Sequence, residues 1–457
     1  MAENAQSPER YDVIMLGMGP GGEMAAGRLI KGGKSVAVVE RELIGGECAY
    51  WACIPSKTLL RPPEAKSGAS RAFGTGTPAL TMEEIFDYRD GMIRHLDDSG
   101  QVEGYESRGA TVVKGEGRIA GPGKVEADGR TLEAEHIVVA TGSYPNVPPV
   151  EGLSEVRVWT NREATTAREV PGRVVIVGGG ANGVEAAQWL SSFGSEVTIV
   201  QSSGRLIDRE DPRVGELIQG HLEEAGVRVL TGRKATRARK DGEDGAVITL
   251  DDGTELETDV VVIAAGRTPR TEGIGLESVG IEPDPKGLPV DDHCRLEEAP
   301  GVWALGDVTG ISLFTHVGLY QGRVVADNIL GKERRADYRG IPRVVFSEPE
   351  VAACGLTEDQ AREEGIDAAA VELDLTRALA RPWTYEEEPR GAMGLVADRE
   401  RGVLVGAWAV APLAGEWIHQ ASQAIRAEIP LEKLLDSVAQ FPTYSEAYLQ
   451  ALEKLDL

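Results

Sequence analysis

The stretch that decides the fold is YDVIMLGMGPGGEMAAGRLIKGGKSVAVVE, residues 11–40. It begins with an apolar strand, residues 11–16, and continues through a turn with three spaced glycines into a helix-like stretch. These glycines are Gly17, Gly19 and Gly22. A second strand ends on Glu40, 18 residues after the third glycine. This pattern is typical of a dinucleotide-binding βαβ unit, in which the glycines admit a pyrophosphate at the helix N-terminus and the acid binds ribose hydroxyls.

The same pattern recurs 161 residues later. The three glycines and the acid are replaced there, in order, by Gly178, Gly180, Gly183 and Gln201. Because strand, turn, helix and strand all repeat at one offset, we interpret the pair as a duplicated dinucleotide-binding module. The chain is therefore expected to bind two dinucleotides. Gln201 lacks the carboxylate that would repel a 2′-phosphate.

Small or polar residues follow three further apolar strands. Thr141 and Gly142 follow one of them and Gly266 follows another, and we expect these small residues to let the strand ends lie close to a cofactor. Asp307 follows the third strand and a glycine, where its carboxylate suits a hydrogen bond to a polyol such as a ribityl chain. The alternative is that Asp307 caps a helix.

The composition narrows the class of protein. A length of 457 residues predicts roughly three domains. A net charge of −26 disfavours binding to nucleic acid and to anionic membranes. No apolar run approaches the ~20 residues that span a bilayer, and residues 1–6 lack a signal-peptide pattern, so we expect a cytoplasmic protein. Four cysteines are too few for a disulfide scaffold and are typical of individual thiols in a reducing compartment.

Two of these cysteines lie close together. Cys48 and Cys53 are separated by four residues, and Lys57 follows them. A zinc site would need two more ligands, and Cys294 and Cys354 lack the spacing to supply them, so we predict no metal. A buried, inert pair is a second interpretation. A reactive disulfide next to a flavin-type site, with Lys57 biasing the local charge, accounts better for the position of the segment.

The sequence changes in character after residue 340. β-rich segments alternate there with amphipathic helices such as residues 416–428, and no phosphate-binding loop occurs. We interpret residues 341–457 as a separate α+β domain that serves dimerisation.

These motifs resemble the FAD-dependent pyridine nucleotide–disulfide oxidoreductases, especially the dihydrolipoamide dehydrogenase branch. The resemblance rests on both glycine modules, the cysteine segment, Gly306-Asp307 and the C-terminal motif FPTYSE at residues 441–446, and it covers nearly the whole chain. It implies an α/β fold with two Rossmann-like dinucleotide-binding domains and a C-terminal α+β dimerisation domain in a homodimer. The implied domains are residues 1–150 with 270–340 for FAD, 151–269 for NAD(P) and 341–457 for the interface.

The resemblance also implies roles for individual residues. Cys48 is the thiol that meets the substrate, Cys53 is the thiol against the flavin, and Lys57 and Glu185 form a pair beside flavin and nicotinamide. The residues implied for FAD are Gly17, Gly19, Gly22, Glu40, Gly46, Lys57, Gly117, Thr141, Gly142 and Asp307. Those implied for NADPH or NADH are Gly178, Gly180, Gly183, Glu185, Gln201 and Gly266. Because Gln201 is neutral and Arg205 follows it, we expect a mild preference for NADPH.

Two departures from the family pattern stand out. The family's C-terminal motif begins with a histidine base that is paired with a glutamate five positions on. Here the acid is kept as Glu446, but Phe441 occupies the base position. Because a positioned acid/base contributes about 10²–10⁴-fold, we expect impaired reduction of dithiol disulfides such as lipoamide. Tyr50 and Trp51 replace smaller residues between the cysteines and are expected to narrow access to Cys48.

We therefore predict an FAD-dependent NAD(P)H oxidoreductase that passes electrons through the Cys48–Cys53 disulfide to an unidentified small-molecule acceptor. Phe441 also resembles the arrangement in 2-ketopropyl coenzyme M oxidoreductase/carboxylase, which makes reductive cleavage and carboxylation an alternative. A further alternative is a dihydrolipoamide dehydrogenase-like subunit with a mainly assembly or redox-sensing role.

Overall fold

The computed structural model describes residues 8–243 and 245–456. Its strands are β1 (Glu9–Leu16), β2 (Val36–Glu40), β3 (Thr111–Lys114), β4 (Gly117–Gly121), β5 (Lys124–Ala127), β6 (Arg130–Val139), β7 (Ser143–Pro145), β8 (Val158–Trp159), β9 (Arg173–Val177), β10 (Glu196–Gln201), β11 (Arg228–Thr231), β12 (Ala235–Asp241), β13 (Gly245–Leu250), β14 (Glu255–Thr258), β15 (Val260–Ile263), β16 (Arg267–Pro269), β17 (Val302–Ala304), β18 (Pro342–Val345), β19 (Glu350–Gly355), β20 (Ala368–Asp374), β21 (Ala392–Asp398) and β22 (Val403–Ala411).

The α-helices are α1 (Pro20–Lys31), α2 (Gly46–Tyr50), α3 (Cys53–Arg71), α4 (Met82–Met92), α5 (Ser99–Glu106), α6 (Asn161–Thr166), α7 (Ala181–Phe193), α8 (Pro212–Glu224), α9 (Thr315–Ile329), α10 (Glu358–Glu363), α11 (Leu375–Ala378), α12 (Arg381–Tyr385), α13 (Ala414–Trp417), α14 (His419–Arg426), α15 (Leu431–Leu435) and α16 (Glu446–Leu452). Short 3₁₀ turns lie at Arg94–Leu96, Leu153–Glu155, Leu276–Val279 and Gly306–Thr309.

The described chain groups into two compact units. The first unit contains residues up to 55 together with 89–146 and 266–337, and the second contains 56–88, 147–265 and the residues from 338 onward. Residues 56–88, which the sequence places in the FAD-binding domain, thus group with the second unit, and the expected nucleotide and interface domains fall in one unit. The three-domain boundaries themselves stay a prediction.

A seven-stranded sheet forms the centre of the first unit. Its order is β3-β2-β1-β6-β5-β4, with β17 also paired to β6. The strands β3, β2, β1, β6 and β17 run parallel, so their carboxyl ends meet at one edge. Leu16, the last residue of β1, lies opposite Val39 of β2 and Val139 of β6. Two apolar clusters, one around Ile14 and one around Met15, form the core of this unit.

The second unit repeats this strand order. Its parallel sheet runs β11-β10-β9-β15-β8, so that β11-β10-β9-β15 corresponds to β3-β2-β1-β6. The duplication of the dinucleotide-binding module is therefore confirmed at the level of strand topology. A three-stranded antiparallel sheet, β12-β13-β14, lies within the same part of the chain.

The C-terminal part of the second unit is an antiparallel sheet of order β18-β19-β22-β21-β20. Apolar residues of α14 and α16 share a buried cluster with this sheet, as an α+β domain requires. The helix expected over residues 416–428 is largely confirmed, since α13 and α14 cover residues 416–417 and 419–426; they are separated at Ile418, and α14 ends at Arg426. In the described part of the chain, no helix combines the length and apolar character needed to cross a membrane.

Glu350 begins β19 in an acidic, partly buried environment. Its carboxylate accepts the backbone N–H of Gly415 at 2.8 Å. Burial, with added repulsion from Glu64, Glu416 and Glu348, raises the pKa of Glu350 to about 7. Because its ordinary pKa is 4.5, the folded protein binds more protons than the unfolded chain between these two values. The stability contributed by this group is therefore lost as the pH rises through about 7.

We expect Glu350→Gln to remove this pH dependence, since the amide oxygen keeps the Gly415 hydrogen bond without a charge to bury. The difference in melting temperature, variant minus wild type, should grow from pH 5 to about pH 7 and level off above it. Thermal unfolding in a pH series checks this, with the exposed Glu400→Gln as the matched control. A difference that stays constant across the series contradicts the assignment.

Candidate active site

In the first glycine turn, a side chain would clash with the rest of the chain at Gly17 and at Gly22 but not at Gly19. Gly17 has φ +97°, and a side chain there would clash with the carbonyl oxygen of Ala140. A Cβ on Gly22 would lie 2.5 Å from the Gly17 carbonyl oxygen. A Cβ on Gly19 would meet no atom of the rest of the described chain within 4 Å. The turn therefore leaves open space at the N-terminus of α1, where the fingerprint places a pyrophosphate.

Glu40 ends β2 beside this turn and is buried. One carboxylate oxygen accepts the N–H of Met18 at 2.7 Å, and the other accepts the N–H of Glu42 at 2.8 Å. Burial raises the pKa of Glu40, while these two hydrogen bonds act in the opposite direction. The side chain thus holds the turn beside which the sequence predicts the ribose.

Gly46 and Gly117 surround the same turn in different ways. Gly46 has φ +59°, and a Cβ on it would lie 2.9 Å from the Cα of Gly19. Two backbone segments of the chain therefore come into close contact at Gly19. A Cβ on Gly117 would lie 2.7 Å from side-chain atoms of both Leu16 and Val39. Gly117 therefore permits close packing against the ends of β1 and β2.

Asp307 lies among polar groups after β17. It accepts the hydroxyl hydrogen of Ser143 at 2.6 Å, and Arg267 donates to that hydroxyl at 2.7 Å. Burial raises the pKa of Asp307 despite these partners. The helix-cap alternative does not fit, because Asp307 is the second residue of the 3₁₀ turn rather than the residue before it.

The neighbouring small residues lie where β6 ends. Thr141 donates its hydroxyl hydrogen to the carbonyl oxygen of Arg270 at 2.8 Å. Gly142 has φ +72° and faces open space. Gly266 has φ +102°, and its carbonyl oxygen accepts the N–H of Asn146 at 2.9 Å. It groups with the first unit, although the sequence assigns it to the second nucleotide.

Both cysteines of the predicted redox pair belong to the first unit and lie in helices. Cys48 is in α2, and Cys53 is the first residue of the 19-residue α3; both are partly exposed. The sulfur of Cys53 lies 3.3 Å from the hydroxyl oxygen of Thr315, which is the first residue of α9. A helix N-terminus favours negative charge, so α3 and α9 both favour a thiolate at Cys53.

The expectation that Tyr50 narrows access to Cys48 is wrong. Tyr50 is fully buried, and its hydroxyl donates to the carbonyl oxygen of Ile44 at 3.2 Å. Its side chain therefore points into the protein. Trp51 is partly exposed, with its ring centroid 5.7 Å from that of Tyr50.

The other two cysteines are buried, Cys294 in the first unit and Cys354 in the second. Burial raises the pKa of Cys354 to about 12, which makes this thiol a poor nucleophile. Among the described residues, Asp291, Asp292 and His293 form the one group whose ligand atoms lie close enough to hold a metal ion, and no cysteine belongs to it.

The second glycine turn repeats the first. Gly178 has φ +115°, and side chains on Gly178 or Gly183 would clash with carbonyl oxygens, whereas a Cβ on Gly180 meets no atom of the rest of the described chain within 4 Å. Gln201 is buried and accepts the N–H of Gly179 at 2.8 Å, as Glu40 does for Met18.

The backbone of Arg233, a residue that the sequence pattern does not indicate, lies beside Gln201. The N–H of Arg233 donates to the Gln201 carbonyl oxygen at 3.0 Å, and Gly232 donates to Ser203 at 2.7 Å. The exposed Arg233 side chain forms an ion pair with Asp252 at 2.7 Å. The pairing of β11 with β10 creates this proximity, which no local motif could have revealed.

Lys57 and Glu185 form an ion pair within the second unit. The Lys57 ammonium donates to both carboxylate oxygens, at 3.0 and 2.8 Å. Glu185 lies in α7, one turn after the open Gly180, and only 3% of its side chain is exposed. A buried carboxylate needs such partners, so α3 and α7 hold the predicted pair together.

The C-terminal motif keeps its turn but exposes its aromatic residue. Glu446 begins α16 and accepts the N–H of Thr443 at 3.1 Å. The Phe441 side chain is 75% exposed, whereas Tyr444 is buried. The position where the sequence predicts the family's base to be replaced thus holds an apolar ring that is exposed on the described chain.

Comparisons with known proteins agree with this geometry. Residues 11–322 match the family described as pyridine nucleotide-disulphide oxidoreductase, and residues 341–452 match the dimerisation domain of that family. A dihydrolipoyl dehydrogenase from Thermus scotoductus is 34% identical over 97% of this chain and 97% of its own length. A mercuric reductase from Staphylococcus aureus is 32% identical over 95% of this chain and 81% of its own length.

Two solved structures are similar over nearly the whole chain. LpdA from Mycobacterium tuberculosis has a TM-score of 0.87 at 27% identity, with 98% of this chain and 99% of LpdA covered. The Cu(II) complex of RclA, an HOCl-induced flavoprotein disulfide reductase from Escherichia coli, has a TM-score of 0.85 at 27% identity, with 97% and 99% covered.

Two dinucleotide-binding turns and two cysteines at adjoining helices define a dinucleotide-dependent redox enzyme. The chain belongs to the pyridine nucleotide-disulphide oxidoreductase family. It is an FAD-dependent oxidoreductase of a family that uses FAD and NAD(P)H, and its dimerisation domain supports a homodimer. Three features suit a bound dinucleotide: the space beside Gly19 and Gly180, the close approach of the Gly46 backbone to Gly19, and the buried Glu40.

The open glycines separate cofactor binding from folding. We expect Gly19→Ala to fold normally, because its Cβ meets nothing in the chain, and to lose FAD because the methyl group occupies the pyrophosphate position. Gly180→Ala should keep its FAD and raise the KM for NAD(P)H. The flavin-to-protein absorbance ratio and circular dichroism of both variants check this. Full flavin content in Gly19→Ala would contradict the assignment.

Proposed function

We propose that the enzyme oxidises NAD(P)H and passes the electrons through FAD and the Cys48–Cys53 disulfide to an acceptor other than an ordinary dithiol disulfide. The observation that carries this proposal is Phe441, an exposed aromatic residue in an otherwise intact C-terminal turn. The site retains the features for accepting electrons and lacks the residue that moves a proton for thiol substrates.

The residues of the first unit would hold FAD. Gly17, Gly19 and Gly22 would admit its pyrophosphate at α1, Glu40 would bind the adenosine ribose, and Asp307 would bind the ribityl chain. When bound, FAD supplies two-electron transfer between a nicotinamide and a disulfide. Net reduction of the disulfide consumes NAD(P)H and one proton and yields NAD(P)⁺ and two thiols.

The two cysteines would have different tasks. Cys53, at the start of α3 and 3.3 Å from Thr315, lies where a thiolate is stabilised, which suits the sulfur that remains within the enzyme. Cys48, one short helix earlier, would be the sulfur that meets the acceptor. Lys57 would bring a positive charge to the reacting end of the cofactors, and Glu185 would keep that charge in place.

The missing base limits which acceptors can turn over. A disulfide substrate is reduced when Cys48 attacks it, and its leaving thiol needs a proton. Phe441 can neither give nor take one, although Glu446 is still present to orient a base. Acceptors that take electrons without a proton transfer at this position are therefore favoured.

The relatives suggest which acceptors to test. They include mercuric reductases, and RclA has been solved with Cu(II), so metal ions belong in the panel beside lipoamide, oxidised glutathione and quinones. The proposal requires at least one non-disulfide acceptor to sustain turnover near the rate of flavin reduction by NAD(P)H. Lipoamide turnover at that rate would contradict it.

We expect Phe441→His to raise lipoamide turnover by up to about 10²–10⁴-fold, because the new base lies in a turn that already contains Glu446. Flavin reduction by NAD(P)H should not change. Stopped-flow and steady-state rates measured on both proteins check this. Phe441→Leu, which removes the ring without adding a base, is the control and should gain nothing; an equal gain in that variant would show that the ring only obstructs the site.

Arg233 supports the expected preference for NADPH. Its backbone N–H contacts Gln201, where the fingerprint places the adenosine ribose, and its guanidinium pairs with Asp252. A 2′-phosphate would compete with Asp252 for this guanidinium, since Arg binds phosphate bidentately.

We expect Arg233→Gln to lower kcat/KM for NADPH by about tenfold, the value of one charge-assisted hydrogen bond, and to leave that for NADH nearly unchanged. Lys240→Gln, at an exposed lysine in β12, serves as the control. Steady-state kinetics with both nucleotides decide the matter, and a strong wild-type preference for NADH would contradict the proposed specificity.

A further inference from the structure

The segment Phe346–Glu348 follows β18 and contacts both helices of the Lys57–Glu185 pair. The backbone N–H of Phe346 donates to the Glu185 Oε1 atom at 3.0 Å. The N–H of Glu348 donates to the side-chain oxygen of Gln188, one turn later in α7, at 2.7 Å. Two backbone N–H groups of the segment thus hydrogen-bond to side chains of α7.

The same segment reaches α3 through side chains. The Lys57 ammonium lies 4.8 Å from the centroid of the Phe346 ring, which is a cation–π contact. Glu348 forms an ion pair with Arg71 at the other end of α3. Phe346 and Glu348 therefore each join α3 to α7, and residues 341–452 belong to the dimerisation domain.

Phe346 acts on both members of the pair at once. Oε1 of Glu185 accepts from Lys57 and from Phe346, so the carboxylate is oriented from two sides. The ring lies against the ammonium on a side chain that is 35% exposed, and so adds a contact to the two hydrogen bonds with Glu185. The Phe346 ring itself remains 39% exposed.

We propose that Phe346 is a positioning residue for this reaction, with its ring holding the Lys57 ammonium against Glu185. This inference rests on the proposed function of the Lys57–Glu185 pair. The ring and the backbone N–H of Phe346 together hold the ion pair in place. The dimerisation domain supplies both contacts.

The ring can be tested apart from the N–H, because substitutions keep the backbone donor. Phe346→Leu removes the π face, Phe346→Tyr retains it, and Phe73→Leu makes the same chemical change at a residue that is 88% exposed. Lysine labelling of the FAD-loaded full-length protein with N-hydroxysuccinimidyl acetate, read by mass spectrometry, reports how accessible Lys57 is. The exposed Lys240 is the internal reference.

Phe346→Leu should raise Lys57 labelling by about two- to fivefold, the expected value of an exposed cation–π contact, whereas Phe346→Tyr and Phe73→Leu should match wild type. The limiting rate of flavin reduction should fall in Phe346→Leu with little change in the apparent Kd for NADPH, and Phe346→Tyr should restore it. Equal labelling in Phe346→Leu and wild type overturns the positioning role.

A separate variant tests the pair itself. Lys57→Met should slow flavin reduction at least as much as Phe346→Leu does. If labelling rises in Phe346→Leu while neither variant slows reduction, the contact holds Lys57 as inferred and the proposed role of the pair is the part that fails.

Discussion

The structure depends on a hydrogen bond that occurs twice, between a side-chain oxygen at the end of one strand and the backbone N–H that follows the first glycine of the neighbouring turn. Glu40 accepts from Met18, and Gln201 accepts from Gly179. Each bond fixes a strand-to-helix turn so that the helix N-terminus faces open space. An acceptor oxygen is needed in both places, whereas a negative charge is not, and this leaves the charge at position 201 available to specificity.

The C-terminal domain fixes the Lys57–Glu185 pair in a similar way, through hydrogen bonds from its backbone. Residues 346–348 contact α3 and α7, so the position of Lys57 and Glu185 depends on a domain that carries no glycine turn of its own. Under the proposed function, this arrangement gives the dimerisation domain a part in the chemistry beyond association. It also explains how an enzyme can keep its electron-accepting half intact while its C-terminal motif changes, since Phe441 and Phe346 lie on separate segments of that domain.

Sequence reasoning succeeded where a residue's environment is local. The open Gly19 and Gly180 and the strands beside them follow from spacing, because a tight turn constrains only its neighbours. It failed for Tyr50, whose direction at the end of a short helix depends on what packs above it. For residues 416–428 it missed only the break at Ile418, because Ile418 keeps near-helical angles, φ −59° and ψ −24°, and the apolar pattern continues through it.

The amino-acid sequence by itself determined the family, the two dinucleotide modules and the cysteine pair, since these are matters of residue identity and spacing. The tertiary structure alone decided which groups meet over long separations. Lys57 and Glu185 lie 128 residues apart in the chain, and Phe346 lies 161 residues beyond Glu185. The contacts of Thr315 with Cys53 and of the Arg233 backbone with Gln201 likewise join residues that are distant in the sequence. The physical reason is that an ion pair or a hydrogen bond depends on distance in space, which only the packing of strands and helices establishes.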